Sequence, residues 1–571
     1  MPYYGAKLDT AIPENVTIWS WLFETSHTPP GVKPTGGFRD ASTDQFLSFD
    51  DIRRLATRFS TILYHKYGLR AGDGVCVFAS NTIWYPIAMF AAVRLGVVFT
   101  GSSPEYGAEE AGYIMKASRA KLVFADQGSL KAVSQAFDKE RIVLLEPAHA
   151  SGPLPTVKRL LDEVDSARTP TPFTLPAGKT NGQVCAYLSF TSGTTSRPKG
   201  VMISHKNVIA QIMQMRSLGR KDLPRVLLGV LPLFHITGLV QILQLPIVID
   251  QEVVLMPKFE MKAMMDTIVK YKCDELWLVP RKALSPFRKQ WELQLTSIFS
   301  SIALLIRLVN DPVAAGYDLR LVKQFNTGAA PLAQEIVDKL AKRFPHIAIR
   351  QAWGMTESTS ALTLTPPPLQ TYENAHTVGA VVPETVLKIV DPETGKEVKE
   401  GESGEIWGKG PQVTMGYLDN PTATAETYDE EGFLHTGDIG CMLPNGLILV
   451  QDRLKEMIKV KGVGVAPAEL EDLLLGHPLV VDAAVIGIPD PYSQELPKAF
   501  VVLSPKAKPD AQTARELQDF VRQRKSRSKW LGGGVEFVDQ IPKSASGKIL
   551  RRMLRDRERA RLEASKTKSR L

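Results

Sequence analysis

This 571-residue chain predicts an α/β protein with largely parallel sheet, followed by a smaller α+β domain. Three observations carry the prediction. Short apolar, β-rich runs alternate with helix-like segments through most of the chain. A second set of apolar strands begins beyond residue 452, and the length exceeds what one hydrophobic core supports.

Taken in order, the alternation begins with GVCVFAS (74–80), a helical stretch from Trp84 to Leu95, VVFTG (97–101) and KLVFAD (121–126). The most apolar stretch runs from Val226 to Ile249. Pro232, His235, Thr237, Gly238, Gln241, Gln244 and Pro246 interrupt it, which suits buried core better than a membrane span. The charged segment QDRLKEMIK (451–459) is the expected joint, because few core contacts would cross it. Beyond it lie AAVIGIP (483–489), KAFVVLS (498–504), a helix pattern from Ala511 to Arg524 and a basic, polar ending. The expected division is residues 1–452, residues 453–565 and a tail of 566–571, with a hinge near 452–455. No internal repeat appears at solenoid periods.

Composition excludes several classes of function. With 44% hydrophobic and 23% charged residues and no low-complexity tract, the chain reads as an ordinary globular protein. Its net charge of +8 lies in residues 543–571, where eleven Lys/Arg face Asp556, Glu558 and Glu563. That tail holds no aromatic side chain to stack on bases, so no nucleic acid partner is expected. Cys76, Cys185, Cys273 and Cys441 are widely spaced, with neither a CxxC pair nor a disulfide-dense pattern, and read as reduced and mostly buried. The opening MPYYGAKLDTAIPENV lacks the basic and apolar regions of a signal peptide.

The most informative segment for chemistry is LSFTSGTTSRPKGVMISH, residues 188–205. An apolar run ends in Thr191, Ser192, Gly193, Thr194, Thr195 and Ser196, then Arg197, Pro198, Lys199 and Gly200. Hydroxyls and backbone N–H groups in a tight loop wrap phosphate oxygens, and a lysine adds a point charge. Pro198 stands where a Walker A loop would need glycine, so this is a different phosphate loop. In Trp353-Gly354-Met355-Thr356-Glu357 a ring suits a purine, a hydroxyl suits a phosphate and a carboxylate suits Mg²⁺. Asp438, in a Thr-Gly-Asp turn, has the short carboxylate that grips vicinal ribose hydroxyls, although capping a turn is the commoner use of such a residue. His235 is alone in an apolar run, where a satisfied core histidine is the ordinary occupant.

Residues 188–205 resemble the phosphate loop of the adenylate-forming superfamily, which includes acyl-CoA synthetases, 4-coumarate:CoA ligases, firefly luciferase and peptide-synthetase adenylation domains. The resemblance continues in order through LPLFHITGL (231–239), NTGAAPL (326–332), QAWGMTES (351–358), HTGDIG (435–440), DRLKEMIKVKGVGVAPAELE (452–471) and PKSASGKILRR (542–552). It implies a large N-terminal domain of packed β-sheets with helices and a small mobile α+β C-terminal domain. It also implies an ATP-dependent ligase with Mg²⁺ and coenzyme A as further requirements. A carboxylic acid would become an acyl-adenylate and then an acyl-CoA thioester.

The same resemblance assigns roles by position. Thr191, Ser192, Gly193, Thr194, Thr195 and Lys199 would hold phosphates, Gly328, Ala329 and Ala330 the adenine, Trp353, Gly354 and Thr356 the nucleotide, and Asp438 and Arg453 the ribose or phosphate. Thr195 and Glu357 would hold Mg²⁺. Lys548 would bridge the acid's carboxylate and the α-phosphate, since both Mg²⁺ and a lysine must neutralise charge developing at phosphorus. A swing of the small domain about Lys455 would then remove Lys548 and bring in Lys459, with Lys461 and Gly462 against CoA. His235 would wall or gate the acyl site in catalysis without acting as general base, beside Thr237, Gln241, Ala352 and Ala361. Those mostly small or neutral side chains imply an apolar or aromatic acid without a second charge.

Some positions depart from the family's usual pattern: Ser196 and Ala545 stand where glycine and proline are usual, Gly464 where glutamine is, and Trp353 where tyrosine is commoner. Residues 281–301 intervene where the family passes from a segment like WLVP (277–280) directly to a helix like IALLIRLVNDP (302–312). Either a surface insertion or intron-derived sequence accounts for them, and a chain that binds nucleotide without turnover is the corresponding alternative. A carrier protein in place of CoA is another. Ser569-Arg570-Leu571 resembles the peroxisomal SKL address, which implies an import receptor as partner and peroxisomal rather than cytoplasmic location.

Overall fold

The strands of the large domain form three sheets among the described residues, and those of the small domain a fourth. The structure is a computed structural model describing residues 2–28, 31–146, 154–163, 168–191, 198–219, 226–278, 304–328, 332, 334–461, 463–505, 507–543 and 549–568. Side chains at 306, 310, 335 and 562–568 are likewise outside the description.

The first alternation of the sequence becomes the strands Gly74–Phe78, Val98–Ser102 and Ala120–Ala125 with helix Trp84–Arg94 between the first two. These strands are parallel and lie in a six-stranded sheet that ends in the hairpin Cys185–Thr191 and Lys199–Ser204. The crossover helix is buried all round, with every residue from Trp84 to Arg94 inside, because it is sandwiched in the core.

A nine-stranded sheet holds the parallel strands Val226–Gly229, Glu252–Leu255, Glu275–Trp277, Gln324–Gly328 and Ala348–Trp353. The apolar stretch 226–249 becomes one of these strands and the short helices Gly238–Ile242 and Leu245–Ile249, all buried or nearly so. No helix among the described residues is long and apolar enough to cross a membrane. The third sheet is antiparallel and includes Gly404–Lys409, Leu434–Met442 and Ile448–Arg453.

Beyond the joint, Ile458–Val460, Val463–Val465, Val480–Asp490 and Gln494–Leu503 pair antiparallel, and Val535–Phe537 adds in parallel. Helices Pro467–Leu475 and Ala511–Arg522 cover this sheet around its own core of Leu470, Val485, Val501 and Leu517. Much of the basic ending is paired internally. Arg551 makes a buried pair with Glu471 at 2.8 Å, Arg555 with Glu456 at 2.8 Å, and Lys543 with Asp482 at 2.5 Å.

Candidate active site

The hairpin Cys185–Thr191 and Lys199–Ser204 sets Thr191 directly opposite Lys199, so both ends of the phosphate-loop segment are pinned by the ladder. Ser204 then caps the next helix, His205–Ser217: its hydroxyl accepts from Asn207 N at 3.1 Å, and Asn207 Oδ1 accepts from Ser204 N at 2.9 Å. Ser192, Gly193, Thr194, Thr195, Ser196 and Arg197 lie outside the described residues.

Lys199 Nζ sits 5.0 Å from the centre of the Tyr417 ring, and the Tyr417 hydroxyl donates to Glu357 Oε1 at 2.7 Å. Tyr417 therefore bridges the lysine of one motif and the carboxylate of another. Burial, then the Glu357 carboxylate, push the Tyr417 hydroxyl above its ordinary range, which keeps it a donor. Sequence reasoning missed Tyr417. Gly416 before it has a φ of 113° and turns the chain, and Tyr417 bridges Val201, a pairing that no local signal announces.

Asp438 lies on Leu434–Met442 opposite Arg453 of Ile448–Arg453. Its Oδ1 pairs with Arg453 Nε at 3.0 Å, and its Oδ2 accepts from the Trp353 indole N–H at 2.8 Å. Three sequence-predicted nucleotide residues thus meet at one buried carboxylate. Each oxygen retains lone-pair capacity for a hydroxyl. Trp353 is also core: it packs with Leu362, Leu387 and Ile406 and is 8% exposed.

The turn after Trp353 is strained and held from behind. Thr359 and Ser360 have φ of 51° and 110°, a region that side-chain-bearing residues adopt at a cost of about 1–3 kcal/mol each. Gln211 Oε1 accepts from Ala361 N at 2.6 Å, and Thr359 Oγ1 donates to Gln412 O at 2.7 Å. Gln214 joins Gln412 at 3.0 Å, so buried amides from two segments brace the turn. A Cβ on Gly354 would fall 2.0 Å from Ser360 O, which explains glycine there. The bracing glutamines were invisible as site residues, since only the fold brings Gln211 and Gln412 to residue 361.

Of the expected acyl pocket, Ala352 and Ala361 flank this turn, and Gln241 Nε2 lies 3.5 Å from Ser360 Oγ. Gly328 faces Ala352 across adjacent parallel strands, while Ala329 and Ala330 lie outside the described residues. His235 and Thr237 are half-buried in a loop that Asn81 holds by hydrogen bonds to Gly229 O, Leu231 O and Leu233 N at 3.2, 2.9 and 3.0 Å. The far end of this region is polar. Arg350, Glu275 and Asn326 are all buried, and burial lowers the pKa of the Arg350 guanidinium from its ordinary value while Glu275 opposes that shift.

Of the small-domain residues named for the swing, Lys455, Lys459 and Lys461 are described. Lys459 and Lys461 are exposed on or beside Ile458–Val460, and among the described residues no hydrogen bond or ion pair joins them to Asp438. Lys461 has φ of 52°, and Gly462 lies outside the described residues. Lys455 is exposed between Asp452 and Glu456, both buried; Asp452 accepts from Ala468 N at 2.8 Å. Lys548, Ala545, the segment 281–301 and the tripeptide 569–571 lie outside the described residues. Lys543 and Ile549, the described residues on either side of 544–548, bridge each other.

The AMP-binding enzyme family matches residues 37–418, and the AMP-binding enzyme C-terminal domain matches residues 469–548. The chain is 35% identical to 4-coumarate–CoA ligase 2 of Oryza sativa subsp. japonica, with 97% of each chain covered. It is 33% identical to peroxisomal OPC-8:0-CoA ligase 1 of Arabidopsis thaliana, covering 97% of this chain and 95% of that one. Among solved structures, the anthranilate CoA ligase AuaEII in complex with anthranoyl-AMP superposes with a TM-score of 0.80 at 23% identity, over 98% of this chain and 99% of that one. An ATP-bound RpMatB-BxBclM chimera superposes with a TM-score of 0.78 at 25% identity, over 95% of this chain and 98% of that one.

Proposed function

The chain belongs to the family of AMP-binding, adenylate-forming enzymes, and from that membership we propose that it is an ATP-dependent acid:CoA ligase acting on an acid with an apolar or aromatic body. The observation that carries the reading is the buried Asp438 carboxylate, held by Trp353 and Arg453. The CoA ligase names of its relatives point the same way.

In the first step an oxygen of the substrate carboxylate attacks the α-phosphorus of ATP, the bond to the bridging oxygen breaks, and pyrophosphate leaves with that electron pair. Asp438 accepts from ribose hydroxyls and Lys199 donates to phosphate. Lys548 approaches the α-phosphate from its loop. Glu357 is suited to Mg²⁺, because one carboxylate with phosphate oxygens is the donor set this ion takes; when bound, the ion would neutralise phosphate charge, with Thr195 as second ligand. In the second step the CoA thiol gives its proton to solvent water, sulfur bonds to the acyl carbon, and AMP leaves with the electrons of the broken C–O bond. Rotation at Lys455 exchanges Lys548 for Lys459, Lys461 and Gly462 between the steps. What supports a division at 452–455 is that no sheet pairing among the described residues joins strands before it to strands after it. A peroxisomal location belongs to the same reading, supported by one relative that is peroxisomal in name.

The test is pyrophosphate release from ATP and Mg²⁺ with fatty, cinnamic and phenylacetic acids, each with and without CoA. Release that depends on one acid class and is accelerated by CoA is the expected result. Release indifferent to CoA would point to a carrier-protein acceptor, and ATP binding without release from any acid would overturn the ligase reading.

A further inference from the structure

The strand Leu434–Met442 breaks its regular pairing just where it carries Asp438. Along its ladder with Gly404–Lys409, Trp407 faces His435 and Glu405 faces Ile439, so Ile406 alone stands opposite Thr436, Gly437 and Asp438. A bulge of this kind disrupts the ladder locally and re-aims the side chains it carries. Gly437 takes a φ of 69°, and Asp438 after it is in register with Arg453 on the strand's other side. The place of the Asp438 carboxylate along the Gly404–Lys409 side therefore depends on what holds the bulge, because regular pairing does not.

Side chains do what the ladder cannot. The Thr436 hydroxyl donates to Ile406 O at 2.6 Å and accepts from Asp438 N at 3.1 Å. Glu405 Oε1 accepts from Gly437 N at 2.9 Å, and its Oε2 accepts from the Trp407 indole N–H at 2.9 Å. Hydrogen bonds to a charged acceptor are the stronger kind, and Glu405 gives one to the middle of the bulge. Trp407 in turn lies flat on His435, with ring centres 3.8 Å and planes 10° apart. His435 Nε2 is 3.4 Å from Asp429 Oδ2, and Asp429 Oδ1 accepts from Phe433 N at 2.8 Å. One carboxylate thus fixes the centre of the bulge and also grips the indole that covers the residue at its start.

Resting on the ligase reading above, in which Asp438 takes the ribose, we propose that Glu405 is a positioning residue for ribose recognition: with Trp407 it holds residues 436–438 so that the Asp438 carboxylate meets both ribose hydroxyls of the nucleotide. Glu405 acts through the Gly437 N–H and Asp438. A displaced carboxylate keeps its charge and loses the line-up with the hydroxyls, on which hydrogen bonds depend steeply. The loss falls on a nucleotide that has ribose hydroxyls and spares one that lacks them.

The experiment measures dissociation constants of the full chain by calorimetric titration with ATP and with dideoxy-ATP, which lacks both ribose hydroxyls, so that no acid substrate is needed. Wild type is expected to prefer ATP by at least about tenfold, the size that hydrogen bonds to a charged group imply. Glu405→Gln keeps the side chain's size and turns an amide nitrogen toward one of the two N–H donors; it is expected to reduce the preference to about threefold and to leave dideoxy-ATP affinity within about twofold. Trp407→Phe keeps a ring on His435 and loses the N–H. It is expected to give an intermediate preference and serves if Glu405→Gln does not fold. A preference that survives both substitutions, or an equal loss of affinity for the two nucleotides, would overturn the inference while leaving the ligase reading intact. Equal binding of the two nucleotides by wild type would overturn it also, and acid-dependent pyrophosphate release would then still uphold the ligase reading. Absence of ATP binding would overturn the ligase reading and this inference with it.

Discussion

Asp438 is held by two partners within the fold, and that makes Trp353 more than a flat surface. Either aromatic ring stacks on a purine, so the sequence alone assigns Trp353 and the commoner tyrosine the same use. The structure adds an indole N–H that fixes one carboxylate oxygen at 2.8 Å. Trp353→Phe keeps a ring and loses the donor; it is expected to weaken ATP binding by about 1 kcal/mol, roughly fivefold, read by calorimetric titration. Asp438→Ala should weaken it further, because Arg453 is then left without its partner. Equal affinity in wild type and W353F would show that the bond does not orient the carboxylate. Tyr417 could not be found from spacing, because its contacts to Lys199 and Glu357 join three segments distant in sequence.

Helix His205–Ser217 connects the phosphate-loop hairpin to the turn at 359–361, and its first and seventh residues decide how firmly. His205 is buried at the helix start, where its Nδ1 accepts from Ile18 N at 3.1 Å. Burial lowers its pKa to about 4, so the folded chain holds it neutral. The unfolded chain, with an ordinary histidine value near 6.5, binds the extra proton first, and stability must fall as pH drops from about 6.5 to 4. The loss from this residue reaches roughly 3 kcal/mol at the acid end. His205→Gln should flatten the pH dependence of urea unfolding across that window, and an unchanged slope would exclude His205 as its source. Gln211→Leu leaves the Ala361 N–H buried and unpaired, for about 1–3 kcal/mol of stability. Because the strained turn at Thr359 and Ser360 loses a brace, KM for the acid should rise more than KM for ATP. Equal rises in both would argue for general destabilisation instead.

At the scale of the whole molecule, the proposed two-step reaction asks one small domain to supply two different sets of residues to one site. Its own core, its buried pairs of Arg551 with Glu471 and Lys543 with Asp482, and the bridge between Lys543 and Ile549 are what such a movement as one unit would require. Lys548→Ala is therefore expected to abolish adenylate formation while thioester formation from a supplied acyl-adenylate survives. Removal of a charge-stabilising contact of this kind costs about 3 to 4 kcal/mol, or 10²–10³ in rate. Equal loss of both half-reactions would refute the two-site assignment.

The sequence by itself determined the α/β class, the positions of the first crossover and of the small domain's strands, and the family. Each rests on local signals: strand and helix periodicity, or motifs contiguous in the chain. The same locality makes Thr191, Lys199, Glu357 and Asp438 legible as candidates. Only the tertiary structure decided that Asp438, Trp353 and Arg453 converge, that Tyr417 bridges Lys199 to Glu357, and that glutamines of remote segments brace residue 361. It also put Arg350 and Glu275 together on one sheet face, where single residues in separate strands carry no sign of each other. Local pattern specifies which face of an element is buried, but the partner across that face depends on strand order and register, which parallel pairing sets through contacts distant in sequence.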